Sequence, residues 1–300
     1  MVMTPLSPDR PYVGRFAPSP SGPLHFGSLV AALGSFLQAR SRQGHWLVRI
    51  EDIDPPREMP GAAGLILQTL EDHGLAWDGE VMYQSRRHER YDEIIARLYA
   101  AGDLYWCRCT RREIMASGGF YNGHCRPLGL AAEGCAARLR QHHPVYRFED
   151  QLQGEIAVPV ALAEEDFIVR RRDGLYAYNL AVVVDDMDSG ITEIVRGADL
   201  LEPTVRQIAL YQTLGAPVPA WVHLPLAVLA DGNKLSKQNH APALARDERS
   251  QALWQALAFL GQCPPPELKA GSVNEIIAWG ITHWRLDRVP RQQKIAQGQN

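Results

Sequence analysis

Apolar and polar positions follow two rhythms along the first hundred residues. Leu29, Ala32, Leu33, Phe36 and Leu37 recur at the three-and-four spacing of a single helix face. That spacing predicts a helix over 25–42, entered through a Pro/Ser/Gly turn over 18–23 and preceded by a short strand over 12–17. The run Trp46-Leu47-Val48-Arg49-Ile50 is β-rich and short, a second strand. Residues 63–73 are helical by pattern, with Gly74 as a stop, and residues 86–101 form another amphipathic helix, ended by Gly102. Tyr91, Ile94, Ile95 and Leu98 mark its buried face. Strand, helix, strand, helix in that order predicts parallel βαβ units in an open α/β sheet.

Beyond residue 102 the rhythm breaks. Cysteines, glycines and two alternating segments, 145–149 and 155–160, fill the stretch 103–165, which reads as an inserted subdomain. The α/β signals return at 166–170 and 177–184. A strand over 193–195 leads to a loop over 196–199, and a helix over 202–214 carries Pro203 near its first turn. A strand over 224–229 precedes a polar loop over 231–239. The region 241–297 is mostly helical by pattern, broken at 263–266. The expected organisation is therefore the first half of a catalytic domain over 1–102, the insert over 103–165, the second half over 166–239 and a helical tail over 240–300.

Composition narrows the classes without choosing among them. The chain has 300 residues, 46% hydrophobic and 22% charged, which excludes a wholly disordered polymer. Its net charge of −3 gives no overall basic field, so RNA contact would need local basic patches. Arg111, Arg112 and the run Arg170-Arg171-Arg172 are candidates for such contacts, or for a solvated face. Residues 1–10 lack a signal-peptide pattern, and no stretch has the roughly 20 apolar residues of a membrane span. A cytoplasmic protein with no membrane contact is expected. Three of the five cysteines crowd into 107–125, a spacing that points to metal rather than disulfides.

Two loops carry candidate phosphate chemistry. In RFAPSPSGPLHFG, residues 15–27, a strand feeds a turn that opens a helix, and a helix N-terminus offers unpaired N–H groups to phosphate. His25 can donate to charge developing on a phosphate oxygen, and Gly27 allows close backbone approach. In DGNKLSKQN, residues 231–239, Lys234 and Lys237 flank Ser236, and mobile ammonium groups suit a pentavalent phosphate. Cys107, Cys109 and Cys125 offer three thiolates for a tetrahedral zinc. Tyr121, His124, His142, His143 and Cys135 are the candidates for the fourth ligand. Histidine is the usual choice, yet His124 directly precedes Cys125, and adjacent residues rarely both reach one metal.

Together the two loops resemble the HIGH and KMSKS signatures of class I aminoacyl-tRNA synthetases, here His25-Phe26-Gly27-Ser28 and Lys234-Leu235-Ser236-Lys237-Gln238. The longer match FAPSPSGPLHFGSL is the form of the glutamyl/glutaminyl branch. Ser28 stands for the second histidine of the signature, and Gln238 for the last serine. The resemblance implies an α/β fold of class I synthetase type: a Rossmann-like parallel sheet with an inserted zinc-bearing subdomain and a short helical C-terminal region. It implies ATP as substrate, with Mg2+, bound by His25, Gly27, Lys234, Ser236 and Lys237, of which His25 and Lys237 are catalytic. RIED and VVDD with EIVRG, which match the branch, imply an L-glutamate pocket of Arg15, Ala17, Ser19, Glu51, Tyr178 and Arg196. Glu51 would take the ammonium and the arginines the carboxylates. Asp52 and Asp54 would orient arginines or cap a helix.

For the metal, resemblance to glutamyl-type synthetases with a zinc-bearing subdomain implies Tyr121 as fourth ligand and a structural Zn2+. About sixty residues follow the second signature, too few for a glutamyl-type anticodon-binding region. The chain thus resembles a truncated branch of the family. That branch implies glutamate activated without tRNA and attached to queuosine in the anticodon loop of tRNA(Asp). The competing expectations are glutamylation of a tRNA 3′ end and an inactive, synthetase-like glutamate-binding module.

Overall fold

The structure, a computed structural model, describes residues 11–229 and 243–296. The second signature, with Lys234, Ser236 and Lys237, lies outside the described residues. The chain begins with the expected alternation: β1 (Val13–Phe16), α1 (Phe26–Arg40), β2 (His45–Ile50), α2 (Ala62–Asp72), β3 (Met82–Tyr83) and α3 (His88–Ala100). β1, β2 and β3 are parallel neighbours, with Arg15 opposite Leu47 and Arg49 opposite Met82.

The middle of the chain builds β4 (Leu104–Cys107), α4 (Arg111–Ala116), β5 (Ala136–Leu139), β6 (Arg147–Asp150), β7 (Gly154–Ala157), α5 (Val160–Glu164) and β8 (Ile168–Arg170). Here pairing turns antiparallel. β5 lies between β4 and β8, and β6 pairs with β7 as a hairpin. The sequence pattern over 166–170 suggests a return to the parallel sheet. β8 instead joins β5, and the parallel pattern resumes with α6 (Tyr178–Asp188), β9 (Glu193–Gly197), α7 (Thr204–Leu214) and β10 (Ala220–Leu224). β9 and β10 are parallel. Thr192 fastens β9 beside β1: its N–H donates to the Val13 carbonyl at 2.9 Å, and its hydroxyl accepts from the Val13 N–H at 2.9 Å. The parallel strands therefore follow the order β3-β2-β1-β9-β10.

Successive side chains along these strands enter opposite cores. Val195 and Val222 join the cluster of α1 that includes Leu33, Phe36 and Leu257. Their neighbours Ile194 and Trp221 join the cluster of α3, α6 and α7 with Tyr91, Leu180 and Tyr211. A sheet covered by helices on both faces needs this two-sided apolar pattern.

One expected strand, 224–229, is divided. Pro225 has no N–H to give a ladder, so Leu224 ends β10 and Leu226–Val228 forms β11 with a different partner. After α8 (Arg249–Phe259) and α9 (Val273–His283), that partner is β12 (Lys294–Ala296), which runs parallel to β11. The helical expectation for 241–297 omits this strand, because three residues carry no periodicity to read.

The tail is tied to the sheet by a buried polar bridge. Trp284 Nε1 donates to Gln38 Oε1 at 2.7 Å, and Gln38 Nε2 donates to Glu193 Oε1 at 2.7 Å. Trp284→Phe keeps most of the apolar contact but leaves a buried carbonyl oxygen unpaired. It is expected to cost about 1–3 kcal/mol of unfolding free energy, read by urea denaturation. An unchanged midpoint would show that the bridge does not secure the tail.

Candidate functional site

The buried charges gather where β1 and β2 meet α6. Arg15 grips Asp186 with two hydrogen bonds, Nε to Oδ1 and Nη2 to Oδ2, each 3.0 Å. Arg49 Nη1 donates to the same Oδ1 at 2.6 Å, and its Nη2 lies 3.4 Å from Glu51 Oε1. The adjacent Asp185 accepts from Gln84 Nε2 at 2.7 Å, Arg87 Nε at 2.6 Å and the Tyr91 hydroxyl at 2.8 Å. Burial alone would raise the Asp186 carboxyl, but Arg15 and Arg49 outweigh it and hold that group below the usual range. Glu51 moves the other way: burial outweighs Arg49 and Arg15 and leaves its carboxyl raised.

Arg196, on β9, has no carboxylate within ion-pair distance among the described residues. Its Nε donates to His223 Nε2 at 3.1 Å, Nη1 to Gln207 Oε1 at 2.9 Å, and Nη2 to Thr204 Oγ1 at 2.8 Å and the Leu200 carbonyl at 3.2 Å. All these partners are neutral. His223 Nδ1 lies 2.6 Å from Asp150 Oδ2. An Nε2 that accepts from Arg196 sets the tautomer, so Nδ1–H donates to Asp150. Burial lowers the His223 pKa, in keeping with a neutral ring. Burial also lowers that of Arg196, with Tyr178 the foremost counterweight. Arg49 also faces Asp185, Nε to Oδ2 at 3.7 Å, so Arg15 and Arg49 are matched by Asp185, Asp186 and Glu51, while Arg196 has only neutral hydrogen-bond partners.

Beside this cluster lies a cavity of about 580 Å3, walled in part by Ser19, Glu51 and Tyr178. The buried Arg196 and Arg15 act electrostatically on Tyr178. Of the six residues expected for a glutamate pocket, Ser19, Glu51 and Tyr178 line this cavity, and Arg15, Ala17 and Arg196 do not. Ala17, half-buried between β1 and the turn, makes no side-chain hydrogen bond.

His25 is the N-cap of α1, and its Nδ1 accepts the Ser28 N–H at 3.3 Å. That bond leaves the ring proton on Nε2, as a donor. Gly27 follows in the first helical turn. Asp52 accepts the N–H and hydroxyl of Ser85 at 2.9 and 2.6 Å, and Asp54 accepts from Arg57 Nε at 2.6 Å. Asp54 therefore orients an arginine, one of the two roles expected, whereas Asp52 holds Ser85 instead.

The Sγ atoms of Cys107, Cys109 and Cys125 lie within 4.8 Å of one another, and none forms a disulfide. The Tyr121 hydroxyl accepts the Cys125 N–H at 2.7 Å, and the Arg138 guanidinium lies 3.8 Å from the Tyr121 ring centroid. His124 is exposed, Cys135 is outside the cluster, and His142 lies 3.7 Å from Asp103. Burial and the neighbouring thiols push Cys109 up to about 12. Three thiols so close cannot ionise together without a cation, and three sulfurs with a phenol suit a closed tetrahedral ion.

Among the residues considered for RNA, Arg170 pairs with Asp92 at 3.4 Å, Arg171 with Asp173 at 2.6 Å, and Arg172 donates to the Arg108 carbonyl. Arg111 and Arg112 are exposed at the start of α4. Sequence reasoning quotes Arg49 and Asp186 only inside motifs and passes over Asp150 and His223. The usable signal is a charge within an apolar strand or helix, as in WLVRI and VVVDD, because an ion there needs a counter-ion.

Comparison with known proteins identifies relatives of the chain. The family model described as tRNA synthetases class I (E and Q), catalytic domain, matches residues 12–119 and 129–270. The chain is 60% identical over 292 residues to the Glutamyl-Q tRNA(Asp) synthetase of Serratia proteamaculans, covering 97% of this chain and 96% of that protein. It is 60% identical over 282 residues to the protein of the same name from Escherichia coli K12, covering 94% and 92%. The crystal structure of glutamate-tRNA synthetase from Elizabethkingia anophelis superposes with a TM-score of 0.78 at 25% identity, covering 96% of this chain and 68% of that one.

Removing Asp186 tests the buried charge cluster. Asp186→Asn strips Arg15 and Arg49 of their shared counter-ion and is expected to cost about 3–5 kcal/mol. In the native chain a depressed carboxylate adds stability above about pH 4, lost as pH falls through its folded-state pKa. The variant should lack that acid-dependent loss in urea midpoints measured from pH 6 to pH 2. An identical pH profile would show that Asp186 does not carry it.

Proposed function

The chain belongs to the class I tRNA synthetases of the E and Q type, and from that membership we propose that it activates L-glutamate with ATP and transfers the glutamyl group to queuosine of tRNA(Asp). The observation that carries the acceptor is the 60% identity, over 97% of the chain, to a protein named Glutamyl-Q tRNA(Asp) synthetase. The buried, anion-deficient Arg196 supports the amino acid, since a carboxylate side chain supplies the charge it lacks.

In this reading Glu51 takes the glutamate ammonium, and Arg196 with Tyr178 takes the side-chain carboxylate. Arg15, Ala17 and Ser19 border the substrate. The α-carboxylate attacks the α-phosphorus of ATP, a P–O bond forms to it, and pyrophosphate leaves. His25 donates from Nε2 to the phosphate oxygens, Gly27 lets the triphosphate approach α1, and Mg2+ enters on the nucleotide. Lys237, with Lys234 and Ser236, follows the developing charge. A hydroxyl of the queuosine cyclopentenediol then attacks the mixed anhydride, and AMP leaves. Its proton passes to the adenylate phosphate. Cys107, Cys109, Cys125 and Tyr121 would hold a structural Zn2+, which fixes the 107–125 loop and enters no chemical step.

Two measurements test this. Glutamate-dependent ATP–pyrophosphate exchange should proceed without tRNA, and Lys237→Ala should fold yet lose most of it. Labelled glutamate should appear on tRNA(Asp) containing queuosine and not on tRNA lacking it; label on the 3′-terminal ribose would sink the acceptor assignment.

For the metal, elemental analysis should find one zinc per chain. Cys109→Ser should lose it, and Tyr121→Phe should weaken its retention against a chelator by on the order of tenfold. A Tyr121→Phe chain that holds zinc as the parent does would remove the phenol from the ligand set.

A further inference from the structure

The cavity beside Glu51 and Tyr178 has more wall than glutamate needs. The same 580 Å3 space is also lined by Asp54, Arg57, Glu58, Ile168, Arg171 and Tyr176, and that volume is in the range that holds a drug-sized molecule. Its three carboxylates differ in their partners. Glu51 faces Arg49 at 3.4 Å, and Asp54 is bracketed by Arg57 at 2.6 Å and Arg171 at 3.6 Å. Glu58 has no cation within ion-pair distance among the described residues, and its Oε1 is buried without a hydrogen-bond partner. A carboxylate so placed lacks a donor that carries positive charge. The Asp54 backbone gives Glu58 a hydrogen bond but no charge, and glutamate's one ammonium has Glu51 in the reading above, which leaves Glu58 open to a cation on a second ligand in the same cavity.

The geometry points to Glu58 as the contact for the secondary ammonium that links the cyclopentenediol of queuosine to its deazaguanine base. This rests on the acceptor proposed above. The attacking hydroxyls are borne on the ring attached to that ammonium, so an anchor at Glu58 fixes them at a short, set distance from the anhydride. Tyr176 and Ile168 provide apolar wall for the flat base, and Arg57 and Arg171, held over Asp54, stand where they can meet an RNA phosphate. Selection would then rest on a charge that an unmodified guanine lacks.

The test separates transfer from activation. A charge-assisted hydrogen bond is worth about 1.5–3 kcal/mol, so Glu58→Gln should cut transfer to queuosine-bearing tRNA(Asp) about ten- to a hundredfold. The loss should fall in KM for tRNA, while glutamate-dependent pyrophosphate exchange stays within about twofold of the parent. Glu58→Asp should recover part of the loss. Free queuosine should inhibit transfer by the parent chain better than 7-methyl-7-deazaguanosine, which lacks the amine. A fall in exchange or a rise in KM for glutamate would overturn the proposal and assign Glu58 to the amino acid. No change in either assay would overturn it as well. A parent chain that exchanges but never glutamylates queuosine would defeat the functional reading itself, a result distinct from either of these.

Discussion

The fork between Arg15 and Arg49, closed by the Asp186 carboxylate, is the constraint around which the rest of the site is arranged. Both arginines project from neighbouring parallel strands, and the aspartate comes from a helix more than a hundred residues later. None of the three could stay charged in the core alone. Their mutual satisfaction fixes how α6 sits on β1 and β2, and therefore where Tyr178, at the first turn of α6, meets Glu51, just past the end of β2. Asp185 repeats the device one residue earlier, pulling in Gln84, Arg87 and Tyr91 and so anchoring α3. The cavity is the space left between elements locked in this way.

The alternation of strands and helices was legible because its signal is local. The face of α1 repeats every three to four residues, and the stops at Gly74 and Gly102 are chemical. What escaped notice depends on partners far away. β8 has the composition of any short strand, and only its pairing with β5 assigns it to the antiparallel sheet. β12 is three residues long and exists because β11, cut from β10 by Pro225, has an open edge. Within the site, the motif residues His25, Glu51, Tyr178 and Arg196 could be named from resemblance. The groups that hold them, Asp186, His223 and Asp150, could not, since a buried ion pair has no sequence period. The three cysteines were legible as a cluster, and the nearness of the Tyr121 hydroxyl adds a phenol that spacing alone left level with four other candidates.

The antiparallel region of the chain forms sheets of its own and is tied to the parallel one. Its β6–β7 hairpin reaches the parallel sheet, where the Gln151 N–H donates to the Trp221 carbonyl and Asp150 meets His223. Asp150 also accepts the N–H groups of Leu152 and Gln153 at 3.0 and 2.8 Å, so the turn of the hairpin and the side chain of β10 share one carboxylate. The antiparallel region and β10 are therefore joined through Asp150 as well as through the backbone of the hairpin turn.

That join has an electrostatic side. An imidazole stands between Asp150 and Arg196, so the aspartate orients the guanidinium without touching it. A carboxylate in the place of His223 would position Arg196 equally well and would cancel its charge. The interposed neutral ring acts as an insulator, leaving the Arg196 guanidinium without a counter-charge among the described residues, which in the proposed glutamate pocket would be an appetite for an anion. A side chain that ends in an amide, of nearly the same shape, would fill the space and leave that appetite unmet. Under the proposed function, discrimination between an acid and its amide would thus be set one residue behind the surface that the ligand touches.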